Sequence, residues 1–225
     1  MLSVSGELND AIGGIPNRPE INLEAALQPR QVMGTFASAW VPNPLPSQRH
    51  RRSFYALRVR GLRDPFMEVF NEPAPDFSCE GRELSTVTPQ VFSLFNGKAS
   101  HDRALALAAK LIKSSQTDQQ VVEQLFALAY GRQPHPKEIS TVVEHWQEAI
   151  ANPARTIPDT VLPPHEIVRD AVEENTGEKF SFVEPLYAYK DFVPDLQPSQ
   201  VDSRTRALAD ICLVVLNSNE FVYVY

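Results

Sequence analysis

Prolines are the feature that most constrains the fold of this 225-residue chain, which has nineteen of them against nine glycines. They are concentrated in two stretches, residues 12–50 and residues 152–200. Proline lacks a backbone donor and disfavours helix in the residue before it. We therefore expect the first stretch to be largely extended, with one short helix over about 22–27. The second stretch should be irregular, with a short helix over about 164–174.

Apolar residues recur at helical spacing outside these stretches, so that each segment carries one apolar face. The clearest case is a pair of helices joined by a short turn. In this pair Gly131 suits the left-handed end of the first helix and Pro136 suits the start of the second. Neither helix can bury its apolar stripe alone, so the two should pack on each other and on a third element. The predicted helices are Thr88 to Asn96, Ser100 to Ile112, Asp118 to Ala129, Pro136 to Ile150 and Ser203 to about Asn217.

Composition and charge exclude several classes of protein. Apolar residues make up 43% of the chain and charged residues 22%, as in globular domains and unlike fully disordered chains. No run approaches the roughly 20 apolar residues of a membrane helix, so we expect no membrane span. The net charge of −7 argues against nucleic acid as the main partner. Residues 1–10 lack the basic start, apolar run and cleavage site of a signal peptide.

The predicted fold is mainly α. It is an irregular helical domain with long proline-rich wrapping loops and at most a small β element, at 53–60 or 221–225. An extended N-terminal segment over 1–50 should belong to the same domain or to a truncated upstream domain. The helical domain should cover 51–225, with its proline-rich insertion at about 152–200.

Arginines are concentrated in the first part of the chain. Residues 1–65 contain eight arginines, no lysine and five acidic residues, a net charge of +3, whereas the remainder carries −10. A guanidinium forms paired hydrogen bonds with carboxylate, sulfate or phosphate, so the polar stretch 49–90 could form an anion or sugar-acid site. Its candidate ligand-binding residues are Arg49, Arg51, Arg52 and Arg82. The alternative is that these arginines pair with the acidic residues of 64–83 and make a long connection rigid.

The same stretch contains the candidate catalytic residues Asp76, Cys79 and His50. A nucleophilic cysteine needs a nearby base, which His50 or His101 could supply. The alternative for Cys79 is a buried structural thiol. Cys212 lies on the apolar face of the last predicted helix and should be structural. A disulfide between the two cysteines stays open as an alternative if the protein is exported.

Motifs of the common metal, haem and nucleotide sites are missing from the sequence. The five histidines form no two-histidine helical pair, and two cysteines are too few for a cysteine-based zinc or iron–sulfur site. No CxxCH, GxSxG or GxGxxG motif and no phosphate-binding loop occurs. We therefore predict no metal site and no cofactor in this chain.

Several short blocks of the sequence match one family when taken together. They are Arg51-Arg52-Ser53-Phe54-Tyr55, Ser85-Thr86-Val87-Thr88-Pro89-Gln90, Leu94-Phe95-Asn96, Pro134-His135-Pro136-Lys137-Glu138 and Ala209-Asp210-Ile211-Cys212-Leu213. In this order they resemble the planctomycete cytochrome-c-associated C-terminal domain called PSD-one. The resemblance covers roughly 45–225, and the opening residues also look like the stretch before it. It adds Gln90 and Asn96 to the candidate ligand-binding residues, because both stand in the best-marked segment of the family.

The resemblance implies a setting for this chain. Members of the family are usually large exported proteins with an N-terminal cytochrome-c-like module, so any haem would lie in an absent upstream domain. A periplasmic or extracellular location follows, with the upstream domains of the same polypeptide as partners and a cytochrome or a polysaccharide as further candidates. The family has no established activity, so we expect a non-enzymatic binding or assembly domain. The alternatives are a hydrolase or lyase acting on a polysaccharide or another anionic polymer, and an electron-transfer docking module.

Overall fold

The computed structural model describes residues 1–28, 30–32, 35–74, 78–81, 88–153 and 162–223, and it confirms a mainly α fold with a small β component. The α-helices of these residues are α1 (Leu2–Ser5), α2 (Leu23–Leu27), α3 (Pro46–Arg49), α4 (Pro65–Val69), α5 (Thr88–Asn96), α6 (Lys98–Ser114), α7 (Asp118–Tyr130), α8 (Pro136–Ala151), α9 (Ser203–Leu216) and α10 (Asn219–Val222). The strands form two antiparallel pairs, β1 (Arg30–Val32) with β2 (Thr35–Ala37) and β3 (Glu166–Val172) with β4 (Lys179–Pro185).

The chain divides into two compact units whose segments alternate along the sequence. Unit 1 consists of Met1–Leu8, Thr86–Thr160 and Asp195–Tyr225, and unit 2 consists of Asn9–Ser85 and Val161–Pro194. The predicted division into an N-terminal segment over 1–50, in the same domain or a truncated upstream one, and a helical domain over 51–225 stays a prediction.

Unit 1 is a helical core in which α6 and α9 pack most extensively and α7 and α8 complete the centre. The predicted helix pair is confirmed. The Thr117 side chain caps α7, and Gly131 ends it in the left-handed region at φ 69°. Pro136 opens α8, whose Trp146 is fully buried and donates its indole N–H to the carbonyl of Arg204 on α9 at 3.0 Å. The third element that the pair needed is therefore α9.

A buried arginine fastens three distant segments of unit 1 together. Arg103 on α6 forms ion pairs with Asp195 and, at 3.0 Å, with Glu7. The side chains of Arg103 and Asp195 are both only 6% exposed. Because a buried charge is tolerated only when it is paired, this contact fixes the positions of residues 1–8 and of the segment from Asp195 relative to α6.

Three local predictions were wrong. Residues predicted as a helix over about 164–174 form β3, because the segment is rich in β-branched residues and turns back at Gly177, where φ is 71°. The segment 53–60 contains a single 3₁₀ turn, Ser53–Tyr55, in place of the predicted strand. Residues 219–222 form α10, capped by the Ser218 side chain, and residues 224–225 lie outside the described part of the chain.

Unit 2 brings together two stretches that are far apart in sequence. Residues 9–17 run parallel to residues 50–57 through bridges at Asn9–Arg51 and Asn17–Ala56. The amide of Asn9 donates to the carbonyl of His50 at 2.8 Å, and the amide of Leu57 donates to the carbonyl of Asn17 at 2.8 Å. The residues between these two anchor points, 10–16, therefore have fixed ends.

Candidate functional site

The arginines predicted to bind a ligand have backbone partners in unit 2. Arg49 is 3% exposed and donates to the carbonyls of Asn43, Pro44 and Val193 at 3.0, 2.7 and 2.9 Å. Its guanidinium lies over the ring of Phe192, 4.5 Å from the centroid. A guanidinium with these contacts holds loops together, so the structure gives Arg49 a structural role.

Arg51 makes the same kind of contact with a loop at the surface. Its Nη2 donates to the carbonyls of Ala11 and Gly13 at 2.9 and 2.6 Å, and its Nη1 donates to the carbonyl of Ile15 at 3.1 Å. The guanidinium also lies 4.3 Å from the centroid of the Tyr55 ring. One side chain thus binds three alternate carbonyls of residues 11–15, which we name the clasped loop.

Three further arginines of this stretch pair with carboxylates. Arg58 contacts Glu72 and Arg63 contacts Glu68, both at 2.9 Å, as the alternative interpretation predicted. Arg52 lies 3.6 Å from Asp10, and both side chains are exposed. Arg82 and Asp76 lie outside the described residues.

The candidate catalytic residues lie in different surroundings. His50 is buried next to Arg49 and Arg51, at the end of α3. Cys79 is exposed and donates its thiol to the carbonyl of Gly81 at 3.1 Å, so the prediction of a buried structural thiol was wrong. Cys212 is fully buried, as predicted, and burial raises its pKa. Both cysteines are free thiols, which contradicts the disulfide alternative.

Two further candidates lie on α5 in unit 1. Gln90 is half-buried in the first turn, and Asn96 is exposed at the last residue of the helix. Beyond Asn96 the chain continues into α6, where the ring of His101 contacts the carbonyl of Phe95 through Nε2 at 2.9 Å. Within the described ranges, no three histidine, cysteine or acidic side chains are close enough to hold a metal ion.

One carboxyl group of unit 2 has a perturbed acidity with a structural cause. Burial raises the pKa of Asp64, and the negative charge of Glu72 raises it further. Asp64 accepts a hydrogen bond from the amide of Phe66 at 3.0 Å and so caps α4. Its position follows from helix capping, and sequence reasoning did not select it.

Sequence reasoning also missed the most exposed large apolar side chains among the described residues of unit 2. Ile12 and Ile15 on the clasped loop are 86% and 89% exposed, and Phe54 is 90% exposed. The ring of Phe54 is edge-on to the ring of Tyr55, with centroids 5.5 Å apart, and the Tyr55 ring also contacts the guanidinium of Arg51. We name Ile12, Ile15 and Phe54 the apolar surface. The signal for it is a pair of isoleucines around Gly13-Gly14, which takes positive φ angles of 73° and 81°.

The clasped loop and the apolar surface both lie within the part of the chain that matches a known family. The sequence model of PSD1, described as a protein of unknown function (DUF1553), matches residues 1–146. The chain belongs to the PSD1 family. No curated protein and no solved structure matches it.

The PSD1 match and the resemblance differ in the range that they cover. It begins at residue 1 and ends at Trp146, whereas the resemblance placed its blocks over roughly 45–225. The last predicted block, around Cys212, lies outside the matched range and stays a prediction. In the portion that the structure describes, none of the helices combines the length and apolar character needed to cross a membrane.

Proposed function

We propose that this PSD1 chain is a non-enzymatic binding and assembly domain. It docks through the apolar surface onto an apolar groove of another domain of the same polypeptide. The observation that carries the proposal is the near-complete exposure of Ile12 and Ile15 on a loop that Arg51 holds in place, together with that of Phe54, whose ring contacts Tyr55. Single exposed apolar residues are ordinary, whereas several presented on a fixed loop are typical of an interaction site.

The rigidity of the clasped loop favours docking. A loop that is ordered before binding loses less conformational entropy when it is bound. Full burial of a large aliphatic or aromatic side chain contributes about 1.5–3 kcal/mol. The three side chains of the apolar surface could therefore contribute about 4–9 kcal/mol before the costs of association are subtracted. That range is sufficient for stable docking between domains already joined by a linker.

The family resemblance supplies the setting of the proposal. An exported protein with an upstream cytochrome-c-like module would offer the neighbouring domain, and the haem would be in that domain. The chain would then work in the periplasm or outside the cell. An electron-transfer docking module would use the same apolar surface, with Arg52 and Asp10 as its charged rim.

The contacts of the arginines favour docking over hydrolysis of an anionic polymer. Arg49 and Arg51 were two of the four guanidinium groups expected to bind the substrate, with Arg52 and Arg82. Arg49 and Arg51 each donate to three backbone carbonyls. An anionic polymer would have to replace these hydrogen bonds, and the loops that they hold would then lose their contacts.

Photo-cross-linking tests the proposal. It uses the whole polypeptide, expressed in the organism that produces it. A p-benzoylphenylalanine in place of Phe54 should give a discrete cross-link to another domain of the same polypeptide. The matched control is the same residue in place of Tyr187, an aromatic side chain of unit 2 that is 78% exposed and lies outside the apolar surface. Equal, diffuse cross-linking from both positions would refute docking. A discrete cross-link to lipid or to a second copy would refute the proposed occupant.

A further inference from the structure

A polar groove on unit 1 is formed by the end of α6, one face of α7 and the turn before α8. Its volume is about 450 Å³, within the range of roughly 300–1,000 Å³ for small-ligand sites. The lining residues are Ser114, Gln116, Gln120, Glu123, Gln124, Ala127 and Gln133. Four of these seven are glutamines.

The amide of Gln120 is oriented by the start of α7. Its Oε1 accepts from the backbone amides of Gln116 and Thr117 at 3.1 and 3.2 Å. A backbone amide can only donate, so the bonded atom must be the oxygen and the NH2 group must lie on the other side. Gln120 therefore presents a fixed pair of donors.

The amide of Gln124 lies one helical turn further along α7. Its Oε1 accepts from the hydroxyls of Ser114 and Ser115 at 2.7 and 3.0 Å. Residues four apart on a helix lie side by side, so the two side-chain amides stand in a row. Glu123 lies beside them, and Gln119 binds its Oε1 at 2.7 Å. The floor is the small side chain of Ala127.

This set of groups selects one class of ligand. We infer that the groove binds a neutral glycan. A sugar hydroxyl both donates and accepts, so it can accept from the two amides and donate to Oε2 of Glu123. The lining contains one carboxylate and no lysine or arginine, which disfavours sulfated or uronic polymers. It also contains no aromatic ring, so we expect a dissociation constant of about 1 mM.

The experiment is an NMR titration of the whole chain, labelled with nitrogen-15, against neutral hexasaccharides of glucose and of N-acetylglucosamine. Amide signals of residues 114–133 should shift and saturate. The test variant combines Gln120→Glu with Gln124→Glu, which keeps both accepting oxygens and removes both NH2 donors. Each lost hydrogen bond should weaken binding about fivefold, and the double variant about 25-fold.

Two controls make the outcome decisive. Gln147→Glu adds one carboxylate, half of the charge added by the double variant, at an exposed glutamine of α8 outside the groove, and it should leave binding unchanged. Urea unfolding of each variant reports whether the helices are intact. The inference fails if no neutral hexasaccharide shifts these signals at about 10 mM. It also fails if sulfated glycans or extended peptides bind better than neutral glycans, or if the double variant binds as well as the wild type.

Discussion

Replacing Arg51 by methionine isolates the role of its guanidinium, because methionine keeps an unbranched apolar stem and removes every donor. The side chain makes three hydrogen bonds to the clasped loop and lies over the Tyr55 ring. It connects the loop to residues 50–57. The loop would keep its anchors at Asn9 and Asn17 in the variant, so we expect local opening and no loss of the fold.

The magnitude follows from these contacts. Three partly exposed hydrogen bonds contribute about 0.5–1 kcal/mol each, and the contact with the ring contributes about 0.5–1 kcal/mol. Fixing an arginine side chain costs about 1.5–2 kcal/mol of rotamer entropy. At the midpoints of these ranges the clasp stabilises the closed loop by about 1 kcal/mol, a factor of roughly 5 in its opening equilibrium.

Hydrogen exchange of single amides measures this opening. The amide of Ala11 donates to the side chain of Asn9 at 3.0 Å, and the amide of Asn17 donates to the carbonyl of Tyr55 at 3.0 Å. The amide of Ala11 should exchange roughly five times faster in Arg51→Met than in the wild type, whereas the amide of Asn17 belongs to a retained anchor and should exchange at the wild-type rate. Arg51→Lys should recover little, because an ammonium group lacks the planar fork. Unchanged exchange of the Ala11 amide in Arg51→Met, or full recovery by lysine, would refute the reasoning.

Three further predictions concern unit 1 and the thiols. Arg103→Met should lower the free energy of unfolding by about 3–5 kcal/mol in urea titration, because a buried carboxylate loses its charge partner; a loss below 1 kcal/mol would contradict this. The hydrogen bond from Arg132 lowers the pKa of Glu138 to about 2. A carboxyl group whose pKa is lowered by folding stabilises the fold at pH values above its unfolded pKa of about 4.3. This stabilisation is lost as the pH falls toward 2. Urea unfolding of Arg132→Gln should therefore differ from the wild type at pH 6 and converge with it near pH 2, and a difference that persists there would contradict the assignment. Ellman's reagent should titrate Cys79 in the native chain and Cys212 only after denaturation, because burial raises the pKa of that thiol and blocks access; two fast native thiols would contradict the structure.

The helices of unit 1 could be predicted because several local signals agree. On α7 and α8 the apolar spacing, the glycine at 131 and the proline at 136 all favour the same boundaries. Such consistency does not require knowledge of distant contacts. The prediction for the segment that forms β3 and β4 was wrong for the opposite reason. A short apolar run is ambiguous between helix and strand until its partner is known.

The roles of the arginines could not be predicted because sequence spacing does not reveal what a guanidinium faces. Arg49 binds the carbonyl of Val193, which is 144 positions away. Arg51 binds the carbonyl of Ala11, which is 40 positions away. A pattern of arginines is equally compatible with carbonyl oxygens and with an anionic ligand, since both are acceptors. The clasped loop was missed because exposure of Ile12 and Ile15 depends on these long-range bonds.

The measurement that tests the central claim most directly compares folding with docking in the double variant Ile12→Ser, Ile15→Ser. Both side chains are exposed, so the free energy of unfolding of the isolated chain should change by less than about 0.5 kcal/mol. The free energy of docking should become less favourable by about 3–6 kcal/mol. The cross-link from position 54 should therefore disappear in the whole polypeptide, expressed in the organism that produces it. An intact cross-link would contradict the proposed role of the apolar surface. A large fall in unfolding free energy would show that the two isoleucines serve the fold.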